Sequence, residues 1–278
     1  MTELVTEFDS EQIKHGKKMN LKYGITKQKF LDSGYTYVLF NAKNLMFQSL
    51  TEEEFLIEEL CKTLKVFLKG YKKVLVVGLG NRHISADSFG TECLKHIIAT
   101  RNLIDAKCEV SAISTSVFGL TGIESADIIK SVQSIIKPDV VIILDTLCAN
   151  SYDTLVTNFQ ISNSGFNPGA GVGNKRKGIN EKTIKTNIVS IGVPFVVYAK
   201  SFVESAINSA MQSPMQSVKK NENLAIFNTL LKQNFNNLVL TVKDVEASIK
   251  KTSYVVASAI NMALNDYSLD EQKTILGH

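Results

Sequence analysis

VLVVGLGNRHISADSFG, residues 74–90, decides the reading of this chain. Its first six residues, Val74 to Leu79, form a short apolar run that closes on glycine, the pattern of a strand buried on both faces. Two further runs of the same kind follow, DVVIIL at 139–144 and IVSIGV at 188–193. Helical spacing fills about 90–100, 123–136 and 200–212. Continuous apolar strands alternating with helices predict an α/β fold, a mostly parallel sheet with helices on both faces.

Outward from that centre the signals thin. YTYVLF at 35–40 reads as a strand, and the first 50 residues are otherwise weakly periodic. Thr51 with Glu54 reads as a capping box that opens a helix to about residue 69, with Phe55, Leu56, Leu60, Leu64 and Phe67 on one face. At the other end Val242, Val245, Ile249, Val256, Ile260 and Leu264 recur at helical spacing, which predicts a long amphipathic helix docked on the body. Residues 213–236, rich in Lys, Asn and Gln, read as a surface excursion from a single domain spanning 1–278. The four prolines, Pro138, Pro168, Pro194 and Pro214, are each expected beside an element end.

The totals narrow the function classes. With 278 residues and 44% hydrophobic content the chain can bury a sizeable core. The excess of 31 Lys and Arg over 27 Asp and Glu is too small to argue for nucleic-acid binding. Cys61, Cys93, Cys108 and Cys148 are scattered and never spaced as CxxC, so they read as reduced, mostly buried thiols. The start, MTELVTEFDSEQIKHGKK, carries no apolar signal region, and no run of 18 apolar residues occurs. A soluble, cytoplasmic protein with no membrane partner is the expectation.

In open parallel sheets, sites form beyond the carboxyl ends of the strands. Asp87 follows the strand at 74–79 and Asp145 follows the one at 139–144, so two carboxylates emerge on one edge from different strands. A close pair of carboxylates cannot readily hold two charges; it shares a proton and can supply a base for a water and an acid for a leaving amine. Pattern alone also admits Asp87 as a helix N-cap and Asp145 as a loop residue bonded to backbone amides. Other chemistries fit less well. GLG at 78–80 meets His83 where a dinucleotide fingerprint needs its third glycine. GAGVGNKRK at 169–177 has Asn174 between its glycine and Lys175, and no Ser or Thr after that lysine, so it is no phosphate loop. No G-x-S-x-G elbow is present. The glycines at 165, 169, 171 and 173, followed by Lys175, Arg176 and Lys177, read either as a tight loop with a solvated basic end or as a surface holding an acidic peptide through its backbone and cations.

Several motifs in order resemble those of the germination proteases: VVGLGN with the Asp87 loop, VSAISTSVFGLTGIES at 110–125, KPDVVIILDTL at 137–147, QISNSGFNPGAGVGNKRK at 160–177 and IGVP at 191–194. The tail KDVEASIKKTSYVVASAINMALN is similar too. The resemblance implies a fold similar to the hydrogenase maturation endopeptidases and an atypical aspartic endopeptidase without metal or cofactor. It further implies a homotetramer made as a zymogen and working in the forespore or spore core. Its substrates and partners would be the small acid-soluble spore proteins, degraded on germination. Asp87 and Asp145 fall on the positions proposed as catalytic in that family, and Gly171, Gly173, Asn174, Lys175 and Arg176 stand as the substrate-binding candidates. Glu7-Phe8 begins a run, Glu7-Phe8-Asp9-Ser10-Glu11, similar to the sites such enzymes cut, and is the candidate self-cleavage bond.

Departures accompany the match. The usual Thr-Pro before the first aspartate is Ser85-Ala86, the arginine after the second is replaced, leaving Asn150, and two further aspartates are Asn163 and Tyr198. Two alternatives remain. A metal-dependent maturation endopeptidase would need a third ligand, commonly histidine, yet none occurs between His96 and His278. A non-catalytic relative would bind spore protein without cutting it.

Overall fold

The computed structural model describes residues 2–3, 16–43, 45, 49–169, 176–211 and 238–277. In chain order the strands are β1 (Thr2–Glu3), β2 (Lys17–Asn20), β3 (Thr26–Asp32), β4 (Tyr35–Asn41), β5 (Lys73–Leu79), β6 (Glu109–Ser116), β7 (Val140–Ala149), β8 (Asn158–Ser162), β9 (Asn187–Tyr198) and β10 (Val239–Thr241). The helices are α1 (Leu50–Phe67), α2 (Phe89–Cys93), α3 (Phe118–Thr121), α4 (Ser125–Ile136), α5 (Glu181–Ile184), α6 (Ala199–Met211), α7 (Val245–Asn265) and α8 (Leu269–Leu276). The surface excursion expected at 213–236 and the bond Glu7–Phe8 lie outside the described residues.

All the strands join one sheet whose main path runs β2-β3-β4-β8-β9-β7-β5-β6. The α/β class holds, and the sheet has two characters. Its centre, β9-β7-β5-β6, is parallel. Its other wing, β2-β3-β4-β8, is antiparallel and joins β9 antiparallel as well. The wing was mostly hidden from sequence reading because KKMN and TKQKFLD carry lysines where apolar alternation is expected, and β2 is exposed along its whole length. Lysine on an edge strand discourages pairing with a second chain.

Side chains alternate across the central strands, so each strand feeds two cores. Val74, Val76, Val140, Ile142 and Leu144 face α1, α2 and α7 in one cluster. Leu75, Val77, Val141, Ile143 and Leu147 face α4 and α5 in the other. α7 brings two buried asparagines to the first face. Asn261 accepts from the Ile98 N–H at 3.0 Å and donates to the His96 carbonyl at 2.8 Å. Asn265 accepts from the Cys108 N–H at 2.9 Å. They satisfy the backbone of the irregular segment between the two strands β5 and β6, which would otherwise be buried unpaired. At the amino end of the strands the Asp139 carboxylate accepts from the Lys72 and Lys73 N–H groups, each at 2.8 Å, and so sets β5 against β7. All four cysteines are buried free thiols.

Two sequence expectations shift. The helix expected to be capped at Thr51 begins two residues earlier, where Ser49 and Glu52 form the reciprocal capping box. Thr51 and Glu54 have the same spacing, and Ser49 takes the cap because it is the residue with extended backbone. Pro194 does not flank a strand but lies within β9, which runs on to Tyr198. A register shift between Leu147 and Cys148 accommodates it, so that Leu147 pairs with Pro194 and Cys148 with Val196.

The glycines of the opening motif have a packing role in place of a nucleotide. A Cβ on Gly90 would stand 2.3 Å from the Leu144 carbonyl oxygen and 2.6 Å from that of Leu79. Both obstacles are backbone of buried strands and cannot give way. Gly90→Ala should therefore destabilise the fold by about 2 kcal/mol or more, the scale of a forced core overpacking. Gly119→Ala, whose added Cβ meets nothing within 4 Å, serves as the neutral control. Urea denaturation of the two variants measures the difference.

Candidate active site

β5 ends in Gly78-Leu79-Gly80 and the chain turns back on itself. Gly80 has φ +98°, and a Cβ there would fall 2.0 Å from the Asp87 carbonyl oxygen. The turn is closed by hydrogen bonds at both ends. The Asp87 N–H donates to the Ile84 carbonyl at 2.8 Å, and the Asp87 carboxylate accepts from the Asn81 N–H at 3.0 Å. Asp87 thus ends a 3-10 turn, Ser85–Asp87, and does not cap the next helix; Ser88 holds the cap position of α2 without a side-chain bond.

Asp145 is not a loop residue. β7 runs from Val140 to Ala149, and Asp145 lies within it, opposite Gly192 of β9. It nevertheless opens onto a cleft, because β5 pairs with β7 only as far as Leu144. Its Oδ1 accepts from the Thr146 N–H at 2.9 Å. Asp145 is 1% exposed and Asp87 7%. Both line one cleft of about 270 Å³ at the carboxyl ends of β5 and β6, beside the middle of β7.

Burial pushes the Asp87 carboxyl up to about 6, and the neighbouring charge of Asp145 pushes the same way, against the Asn81 N–H bond. The two carboxylates sense one another in a partly dry cleft, the arrangement that lets one proton serve two acids.

The rest of the lining comes largely from the β6–α4 connection and from Arg176. The Arg176 guanidinium lies 4.4 Å from the centroid of the Phe118 ring and 3.7 Å from Glu124 Oε1. Lys177 turns away to Asp127 at 2.5 Å. Gly171, Gly173, Asn174 and Lys175 lie outside the described residues; of that candidate group, Arg176 is placed on the cleft. Phe118, Glu124 and Ser116 were given no role from sequence. The available signal was position: Phe118 follows the carboxyl end of β6, on the same sheet edge as the aspartates, and is 39% exposed although aromatic. His83 is exposed and stands apart from the cleft lining.

The departures from the family pattern scatter. Asn163 accepts from the Thr36 N–H at 2.8 Å and lines a different hollow, beside α1 and the antiparallel wing. Tyr198 ends β9, opposite Val239. Ser85 reaches Glu246 of α7 at 3.3 Å. Among the described residues no three His, Cys, Asp or Glu side chains gather as a metal-binding group, and no described helix is long and apolar enough to cross a membrane.

Comparison with known proteins agrees with the sequence motifs. A family model described as germination protease matches residues 11–226. A germination protease of Caldanaerobacter subterraneus subsp. tengcongensis is 32% identical over 87% of this chain and 82% of its own length. That of Clostridium tetani is 34% identical over 76% of this chain and 73% of its own, and that of Priestia megaterium 36% over 62% and 50%. Among solved structures, the [NiFe] hydrogenase maturation protease HycI of Thermococcus kodakarensis is similar over 72% of this chain and 99% of that one, with 14% identity and a TM-score of 0.36. At that overlap nothing about the chemistry of this chain follows from it.

The raised carboxyl of Asp87 has a consequence for stability. Its folded value, about 6, exceeds the ordinary 3.8, so the unfolded chain gives up this proton first. The group's stabilising contribution is complete below pH 3.8 and is lost as pH rises through 6. Asp87→Asn keeps an acceptor for the Asn81 N–H and removes the charge. It should therefore stabilise the protein at pH 7.5, on the order of 2 kcal/mol, and leave it almost unchanged at pH 4. Thermal melts at the two pH values test this; an equal shift at both would assign the effect to something other than ionisation.

Proposed function

Because the chain belongs to the germination protease family, we propose that it is an aspartate-dependent endopeptidase of spore germination, cutting small acid-soluble spore proteins with Asp87 and Asp145. One observation carries the aspartate reading: two buried carboxylates from different elements line one cleft, and the charge of one raises the pKa of the other. In the working state Asp145 is ionised and takes a proton from a water as that water attacks the scissile carbonyl. Asp87, holding its proton, gives it to the leaving amine. The pair ends with the proton on the opposite aspartate and is reset by exchange with solvent.

Arg176 is the group suited to an acidic substrate side chain, since it lines the same cleft and is held in place by Phe118 and Glu124. In the same reading the molecule is a homotetramer of the forespore, trimmed at Glu7–Phe8 from a longer inactive form. The competing maturation-endopeptidase reading gives the two aspartates to a metal ion.

Asp87→Asn and Asp145→Asn should each lower turnover of a small acid-soluble spore protein by roughly a hundredfold or more, the scale of lost acid–base help, with circular dichroism unchanged. The wild type should keep its activity after dialysis against EDTA. A single variant with full activity removes the dyad; activity lost to EDTA and restored by one divalent ion installs the metal reading in its place.

Arg176→Ala should raise KM for the same substrate several-fold at low salt with less effect on kcat, and the difference should narrow at about 1 M salt, where exposed charges are screened. An unchanged KM at low salt assigns Arg176 to holding its own loop.

A further inference from the structure

Strand β7 outruns its neighbour. On one side β9 accompanies it from Val140 to Ala149. On the other, β5 accompanies it only to Leu144 and then peels away at the irregularity between Gly78 and Leu79. Beyond that point the free edge of β7 belongs to β1, which lies parallel to it with Thr2 opposite Leu147 and Glu3 opposite Cys148. Thr146, Leu147 and Cys148 are buried, so the backbone groups on this edge need partners that water does not supply. Between the last pair with β5, at Leu144, and the first with β1, at Leu147, sits Asp145.

We propose that this edge of β7 is where the substrate's main chain binds: the peptide to be cut joins the sheet as a parallel strand in the lane that β1 takes in the untrimmed chain, displacing β1 where it is still present. The inference rests on the peptidase reading above and adds the binding mode. Three features support it. The lane is continuous with β5, so a strand placed in it extends an existing parallel ladder. It is already shown to accept a parallel strand, and the two residues of β1 are the least that can close the edge. It also passes beside Asp145. The register sets the polarity of the bound chain. A strand parallel to β7 comes level with Asp145 two residues before the place of Thr2, so the residues beside Leu147 and Cys148 are those C-terminal to the bond being cut. Recognition by strand addition draws affinity from main-chain hydrogen bonds and leaves side-chain choice to the pocket walls, here Phe118 and Arg176. It also requires the cut segment to be extended.

Strand addition leaves a signature that cavity binding does not. In a parallel pair only alternate residues of one strand bond to a given neighbour. Overlapping fluorescein-labelled peptides of about ten residues, tiled over a small acid-soluble spore protein, are titrated against full-length Asp145→Asn by fluorescence polarisation. The tightest binder is then N-methylated one amide at a time. Blocking alternate amides on the C-terminal side of the cut should weaken binding roughly tenfold, the scale of a lost and unreplaced backbone hydrogen bond, with little change at the amides between. In the chain lacking residues 1–3 the unmodified peptide should bind several-fold more tightly, its competitor being gone. Absence of any binding peptide, a flat N-methyl profile, losses at consecutive positions, or equal affinity in the shortened chain each overturn the proposal. A period-two profile from a protein whose wild type cuts nothing would retain the slot and remove the peptidase reading; efficient cutting with a flat profile would do the reverse.

Discussion

The site depends on one close contact, that of Gly90 with the carbonyl groups of Leu79 and Leu144. The three-residue turn that carries Asp87 ends where α2 begins, and α2 reaches the sheet only because position 90 has no side chain. Gly80 completes the constraint from the other end of the loop, with its left-handed backbone under the Asp87 carbonyl. Between these two glycines the Asp87 side chain has little choice of direction. It turns back to the Asn81 N–H and onto the cleft that Asp145 shares. The same contact explains why VLVVGLGN resembles a nucleotide loop without being one: the glycines admit a neighbouring backbone, not a phosphate.

The central sheet was legible because it is buried on both faces. Val74–Val77 and Val140–Leu144 are wholly enclosed, and such strands must be written in apolar residues without interruption. The antiparallel wing was less legible for the opposite reason, since its outer strands face solvent and carry lysine. The site divided along the same line. Asp87 and Asp145 announced themselves as carboxylates following apolar runs. What sequence could not show was that β7 continues past Asp145, because VVIILDTLCA is interrupted by two polar residues that read as a strand end. Asp145 faces the cleft and Thr146 the other side, both buried, so the strand carries polar groups into a dry region. Pro194 misled in the same way: its missing N–H suggests a terminus, and the bulge opposite Leu147 and Cys148 absorbs it.

The departures from the family pattern can be weighed by place. Asn163 is occupied with the Thr36 N–H on another part of the molecule, so an aspartate there would bear on the join between β4 and β8 and not on the dyad. Ser85 belongs to the turn that holds Asp87, and its bond to Glu246 ties that turn to α7. It bears on how firmly the turn is set, while the two carboxylates stay where they are.

Burial, more than charge, keeps the proton on Asp87. A guanidinium close to either aspartate would lower its pKa and favour two ionised carboxylates. Arg176 lines the same cleft, and its guanidinium is engaged by Glu124 and the Phe118 ring. Glu124 offsets the cation's charge, and burial with the charge of Asp145 keeps Asp87 near 6. On the proposed reading, a cation for an acidic substrate and a proton-sharing pair are set in one cleft. Glu124 bears on both in that reading, since it partners Arg176 and offsets its charge. The acid that offsets the cation is, on that reading, the residue that lets cation and dyad share one cleft.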